Sequence, residues 1–192
     1  MAKAKILLAE DESIWRMDLK EMLTEAGYEV VGEAGDGEKA VELAHSLKPD
    51  LIIMDIKMPK MNGLKAGRII TRSVNVPILL LTAYSQQDLV AEAKQAHVTG
   101  YLVKPVRESD LIPAVEISLA QARKVAALEQ NISKLQHQIE SRKLVERAKG
   151  VLMNKHRWSE EQAYQTLRKN SMNRRISMDE LARRILAEEQ QV

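Results

Sequence analysis

Five residues of this chain stand just beyond short apolar runs. Glu10 and Asp11 follow residues 5–9 (KILLA), Asp55 follows 51–54 (LIIM), Thr82 follows 77–81 (PILLL), and Lys104 follows 100–103 (GYLV). Taken singly, each has a bland explanation. An Asp behind a strand is commonly a loop residue or a helix cap, a Thr is a β-former, and a Lys is a surface charge. Together they can do chemistry. Crowded carboxylates repel and raise one another's pKa unless a cation is present. A hard divalent ion such as Mg²⁺ relieves the repulsion and takes phosphate oxygens as remaining ligands. Lys104 supplies a mobile positive charge and Thr82 a hydroxyl. The set suits a phosphoryl group placed on Asp55, with its charge neutralised by metal and lysine.

For this to happen, the runs must be neighbouring parallel strands. The run 51–54 has no polar alternation, as expected of a strand covered on both faces. Strands at 5–9, 29–34, 51–54, 77–81 and 100–103 alternate with helices at 14–26, 38–47, 63–72 and 85 to about 97. Ile14, Met17, Met22 and Leu23 are among the apolar positions of the first helix, and Gly27 is its stop. Ser85 to Asp88 has capping-box spacing. Five strand–helix alternations imply a flavodoxin-like, doubly wound α/β domain with a five-stranded parallel sheet. In the order 2-1-3-4-5, strands 1 and 3 flank the switch point where ligands bind. Glu10 and Asp11 then lie beside Asp55 at the ~4.8 Å strand spacing, with Thr82 and Lys104 on the next two strands. No GxGxxG follows the first strand, which weakens a dinucleotide-binding reading.

The chain has 192 residues and no cysteine. Disulfides, thiol nucleophiles and Cys-ligated zinc are thereby excluded. No apolar run approaches the ~20 residues of a membrane helix, and residues 1–5 lead straight into a strand, so a cytoplasmic protein with no membrane partner is expected. Charge is unevenly spread. Residues 1–120 carry 14 Lys+Arg against 18 Asp+Glu, and residues 121–192 carry 15 against 9, so −4 precedes +6. Ordinary helix-surface charge and a polyanion-binding second part both fit this asymmetry. The expected division is a phosphoacceptor domain at 1–120, a helical linker at 121–141 and a three-helix module at 142–192.

From Ser109 to about Asn154 the only helix breaker is Pro113, expected in the first turn. Val125, Leu128, Ile132, Leu135 and Ile139 recur at spacings of 3 and 4. β-Branched residues alternating with Leu favour a parallel two-stranded coiled coil, with Lys124 and Glu129 at flanking positions. A homodimer is expected; the alternative is an amphipathic helix packed on its own chain. In the module, Ser159–Gln162 and Ser177–Glu180 have capping-box spacing, and Ala163, Leu167 and Tyr164 are expected to face inward. Lys149, Lys155, Arg157, Arg168, Lys169, Arg174 and Arg175 could make salt-dependent contacts to nucleic-acid phosphates. The aromatics here, Trp158 and Tyr164, are few, so recognition is expected to rest on Lys and Arg.

The acid pair, Asp55 with Met58-Pro59 beyond it, Thr82-Ala83 and Lys104-Pro105 resemble the receiver domain of two-component response regulators over about residues 3–120. The resemblance implies that Asp55 accepts phosphate from a sensor histidine kinase. It also implies that Glu10, Asp11, Asp55 and the Lys57 carbonyl hold Mg²⁺, that Thr82 and Tyr101 form a switch pair, and that Lys104-Pro105 is a cis peptide. Many receivers have Asp where this chain has Glu10. The stretches 146–153 (ERAKGVLM) and 160–175 (EEQAYQTLRKNSMNRR) resemble the ANTAR family of transcription antitermination domains. That resemblance implies binding to RNA stem-loops in leader transcripts, with Ala148, Lys149, Gly150, Tyr164 and Arg168 at the matching positions. Ala148 and Gly150 could instead serve close helix packing, and Tyr164 the core. LKAGRI and LRKNSMNRR also resemble regulators of ethanolamine-utilisation operons. The whole reads as a phosphorylation-dependent antiterminator, its homodimer promoted by phosphorylation. The alternatives are a receiver with a DNA-binding output, or a phosphatase using Asp55. Haloacid-dehalogenase-like phosphatases need a second Asp two residues on, where this chain has Lys57, so no enzyme is expected.

Overall fold

A computed structural model describes residues 3–83 and 98–189. The helix expected from Ser85 to about His97 lies outside them. The strands are β1 Lys5–Ala9, β2 Glu29–Ala34, β3 Leu51–Asp55, β4 Ile78–Thr82 and β5 Val98–Val103. The described helices are α1 Ser13–Glu25, α2 Gly37–Leu47, α3 Gly63–Ser73, α4 Glu108–His156, α5 Glu160–Arg174 and α6 Met178–Glu189. The chain divides into compact units at 1–126 and 127–192.

The first unit is built on one parallel sheet of order β2-β1-β3-β4-β5, as the alternation predicts. Strands β3 and β4 are buried along their whole length, and β1 is buried after Lys5. The edge strands β2 and β5 are only partly covered. Side chains alternate between faces with period two. Leu7, Ile52, Met54, Ile78 and Leu80 face one core with Ala40 and Ala44 of α2 and Leu64, Ala66 and Ile70 of α3. Ile6, Leu8, Leu51, Ile53, Leu79 and Leu81 face the other, with Leu19 and Leu23 of α1 and Leu111, Val115 and Leu119 of α4. The continuous apolar runs of β3 and β4 are thus the signature of coverage on both sides.

Local signals set the helix ends. Asp36 accepts from the Lys39 amide and Asn62 from the Lys65 amide, both at 2.8 Å. Gly27 follows α1 with φ +89°, a conformation that disfavours a side chain. Ile14 and Met17 of α1 are exposed, at 76% and 69%. One expectation changes. Pro113 lies inside α4, beyond its first turn. The other apolar residues of α1 point inward because Leu19 and Leu23, four apart, define its buried stripe.

The second unit comprises the carboxyl-terminal part of α4 with α5 and α6. Ala148, Leu167, Leu181 and Ala182 form its core, with Leu144, Leu152, Ile176 and Ile185 against them. The expected capping box of α5 is formed in full: the Gln162 amide donates to Ser159 Oγ at 3.2 Å, and the Ser159 amide to Gln162 Oε1 at 2.9 Å. At α6 the Glu180 amide donates to Ser177 Oγ at 3.3 Å. Val125, Leu128, Ile132, Leu135 and Ile139 are each at least half exposed along α4. No described helix is long and apolar enough to cross a membrane.

Two glycines hold the β3–α3 loop close to the sheet. A Cβ on Gly63 would run into the Asp55 carbonyl, and one on Gly37 into the Met61 carbonyl. Such overpacking against backbone costs about 1–3 kcal/mol. Gly63→Ala is therefore expected to lower the unfolding free energy of the first unit by that much, read as a lower urea midpoint. Gly35→Ala, whose nearest neighbour would be Arg16 at 3.9 Å, is expected to stay within about 0.5 kcal/mol of the parent. Equal midpoints for the two variants would show that the loop is free to yield.

Candidate functional site

The register brings the expected carboxylates together. Ala9 of β1 pairs with Met54 of β3, so Glu10 and Asp55, one residue further on each strand, are level. Thr82 closes β4 opposite Val103 of β5, and the Lys104 amide donates to the Thr82 carbonyl at 2.8 Å. Glu10, Asp55 and Thr82 are buried, at 1%, 6% and 5% exposure, whereas Asp11 is exposed.

One ammonium joins the two buried acids. Lys104 Nζ lies 2.6 Å from Glu10 Oε2 and 2.8 Å from Asp55 Oδ2. The remaining oxygens meet backbone: the Glu12 amide donates to Glu10 Oε1 and the Lys57 amide to Asp55 Oδ1, each at 3.3 Å. Burial pushes the Glu10 carboxyl above the ordinary carboxylate range, Lys104 opposes this by hydrogen bonding, and the charge on Asp55 adds to it. Burial disfavours charge on Lys104, but hydrogen bonds to Asp55 and Glu10 outweigh it and hold the ammonium above the usual lysine range. Lys104-Pro105 is cis, as the receiver resemblance implies.

Carboxylate oxygens of Glu10, Asp11 and Asp55 lie within 4.8 Å of one another. Three carboxylates and one ammonium sum to −2 when all are charged, and an all-oxygen donor set suits a hard divalent cation. The residues present therefore fit Mg²⁺. The Lys57 loop is clipped in place by Lys60 Nζ to Asp36 Oδ2 at 2.7 Å and by the Gly37 amide to the Met61 carbonyl at 3.1 Å. This clip was not foreseen from the sequence; its only signal is an Asp-Gly turn before α2. Tyr101, expected as a switch partner of Thr82, is more than half exposed on β5. A cavity of about 570 Å³ opens at the opposite, amino-terminal edge of the sheet, lined by Pro49, Pro77 and Thr99, away from the carboxylates.

The residues expected to meet nucleic acid fall into two groups. Lys155, Arg157, Arg168, Lys169, Arg174 and Arg175 are exposed. Lys149 is buried, and its ammonium lies 2.9 Å from Glu146 and 2.7 Å from Glu160. Those two carboxylates hold the Lys149 amine above its usual range. Lys149 thereby ties the first turn of α5 to α4. Ala148 is fully buried in the core of the unit. Gly150 is not a close-packing residue: a Cβ there would meet nothing within 4 Å. Tyr164 is exposed at 38%, not inward. It shares a face of α5 with Arg168 and with Met172, a large apolar residue that is 67% exposed and was not singled out from the sequence.

Comparisons with known proteins find two families, one matched within each unit. Residues 6–116 match the response regulator receiver domain, and residues 133–186 match the ANTAR domain. The chain is 50% identical over 182 residues to the transcriptional regulatory protein PdtaR of Mycobacterium tuberculosis, covering 95% of this chain and 89% of that protein. It is 42% identical over 112 residues to the chemotaxis protein CheY of Thermotoga maritima, covering 58% of this chain and 93% of CheY. Among solved structures, the receiver domain of the response regulator NarL from Mycobacterium tuberculosis superposes with a TM-score of 0.59 at 28% identity, over 64% of this chain and 98% of that one.

Removing the shared ammonium tests the electrostatics. Lys104→Met leaves two buried carboxylates facing each other, which is expected to cost about 2–3 kcal/mol near neutral pH, allowing for solvent at the open edge. The lost ammonium also raises the Glu10 pKa further. A carboxyl whose folded pKa exceeds its unfolded value binds its proton more tightly in the folded state. Acid therefore stabilises the variant as pH falls from above the raised value toward the ordinary carboxylate range. Urea unfolding at about pH 7.5 and about pH 5.5 checks this. A variant as stable as the parent at both would show that Lys104 carries no such load.

Proposed function

The chain belongs to the response regulators that carry a receiver domain and an ANTAR domain, and from that premise we propose that it is a phosphorylation-dependent transcription antiterminator. Asp55 accepts a phosphoryl group from a sensor histidine kinase in the cytoplasm. The ion pairs of Lys104 with Glu10 and Asp55 are the observation that carries this reading. They join two buried carboxylates through one cation, which supports Asp55 as the acceptor. Glu10, Asp11, Asp55 and the Lys57 carbonyl hold Mg²⁺. When bound, the ion offsets the charge of carboxylates and phosphoryl oxygens. Lys104 follows the phosphoryl group, and Thr82 and Tyr101 respond to the added charge.

The output is binding to RNA hairpins in nascent transcripts, which keeps a terminator from forming. The exposed cations Lys155, Arg157, Arg168, Lys169, Arg174 and Arg175 meet phosphates, with Tyr164 on the Arg168 face. Lys149 and Ala148 act by shaping the unit that presents these cations. Two copies join along Val125, Leu128, Ile132, Leu135 and Ile139, whose exposure on α4 supports that seam. Phosphorylation favours the dimer and with it two-hairpin binding.

Two measurements test the reading. Tandem RNA hairpins competed against duplex DNA of the same sequence at fixed salt are expected to win. Arg168→Ala is expected to weaken binding, and affinity to fall steeply with salt as counterion release diminishes. Preference for the duplex, or stem readout with indifferent loops, would overturn the antiterminator in favour of a DNA-binding output. Treatment with a small phosphodonor and Mg²⁺ is expected to raise the mass in solution from monomer toward dimer, and Asp55→Asn to abolish the change. A mass that stays the same after confirmed Asp55 phosphorylation would sink the coupling.

A further inference from the structure

Where α4 gives way to α5, two rings lie one on the other. His156 is the last residue of α4, and Trp158 immediately precedes the Ser159 cap. Their centroids are 4.4 Å apart with 23° between the planes. Arg157 between them has φ +54°, in the left-handed region that non-glycine residues seldom occupy. His156, Lys155 and Arg157 are exposed, and Trp158 is half-buried.

Trp158 has an ordinary role available. It stands before the cap, and the fully buried Ala163 stands at the fourth helical position, the arrangement of a hydrophobic staple. A staple accounts for the indole. It does not account for an exposed imidazole laid over it, nor for a cation on either side of that imidazole. The nearby acids are already engaged. Glu160 accepts from Lys149 at 2.7 Å, and Glu161 from the Gln165 amide at 2.8 Å. What faces solvent at this corner is a ring whose sequence neighbours, Lys155 and Arg157, are exposed cations.

We propose that the His156–Trp158 stack is a platform for one unpaired base of an RNA hairpin loop, with Lys155 and Arg157 on the adjoining phosphates. The proposal rests on the RNA-binding reading above and names the chemistry it uses. Unpaired RNA bases are recognised by stacking on aromatic and histidine rings flanked by cations. A base within a duplex has no free face to offer. The platform therefore selects loops over paired stems without reading base identity, since every base has a π-face. This adds aromatic recognition where the scarcity of aromatics pointed to Lys and Arg alone.

The test uses the full chain. A tandem-hairpin RNA is selected from a pool with randomised loops, and each loop base is replaced in turn by an abasic site. For the parent, one abasic position is expected to weaken binding on the order of 10-fold, the scale of one base–aromatic stack. His156→Ala is expected to weaken the intact RNA by a similar factor and to be indifferent to that abasic site. Trp158→Leu, which keeps an apolar group for the staple, is expected to behave as His156→Ala does. Circular dichroism of His156→Ala should match the parent, since the exposed imidazole supports no core. Parent-like affinity in His156→Ala, or an undiminished abasic penalty, overturns the platform and leaves RNA binding standing. A pool from which the parent selects no hairpin overturns both.

Discussion

The first unit depends on the balance of charge at the carboxyl-terminal edge of its sheet. A parallel sheet sends the ends of β1, β3, β4 and β5 to the same edge, and here those ends carry Glu10, Asp55, Thr82 and Lys104. Two carboxylates buried within reach of one ammonium would be unstable without it, because an unpaired buried charge costs several kcal/mol. Lys104 removes that cost by touching both. The sum of charges, with Asp11, still leaves the edge negative, so the balance is met only in part by the protein itself. A site of oxygen donors left short of positive charge is one that a hard divalent cation fits. Fold stability and the fit of a cation therefore draw on the same imbalance.

The second unit uses a lysine between two carboxylates as well, and the contrast is instructive. Lys149 sits between Glu146 and Glu160, but both acids are more than half exposed. Water screens them, so neither depends on the lysine for its solvation. The same three kinds of group form a buried charge cluster in the first unit and a brace with exposed acids in the second. The brace joins α4 to the first turn of α5, which is also secured by the Ser159–Gln162 capping box. The turn between them, with Arg157 left-handed, is thus fixed from its far side by a side-chain ion pair and at its near side by backbone capping.

Most of the sheet was legible because the apolar runs state their own coverage. Five strands, their order and the level of Glu10 with Asp55 follow from β3 and β4 having no polar alternation and from the switch-point rule. What was not legible is whatever depends on helix phase. On α5 the buried residues are Ala163, Leu167 and Ser171, a stripe at intervals of four that includes a serine. Tyr164 lies about 60° from the middle of that stripe, at its border, so it stays partly exposed although it is apolar in bulk. On α1, Met17 lies about 160° from Leu19 for the same reason. A buried serine and an exposed methionine defeat a count of apolar letters. Lys149 was read as a free cation because its partner Glu160 comes from another helix, eleven residues on, and only the packed corner brings the two together.

The long helix carries the remaining constraint. Leu111, Val115 and Leu119 of α4 belong to the core of the first unit, and Ala148, with Leu144 and Leu152 packed beside it, to that of the second. Between these stretches Val125, Leu128, Ile132, Leu135 and Ile139 have no core to enter and remain about half exposed. Propensity alone holds such a stretch weakly, because most helical stability in proteins comes from packing an apolar face. Each Leu or Ile fully buried there would contribute about 1.5–3 kcal/mol. That free energy is unspent within one chain. The spacing, with β-branched residues alternating with Leu, is of the kind that suits two parallel strands. The seam's length then matters more than its composition. With about two heptads the gain is modest, so the seam leaves the association of two such helices finely balanced.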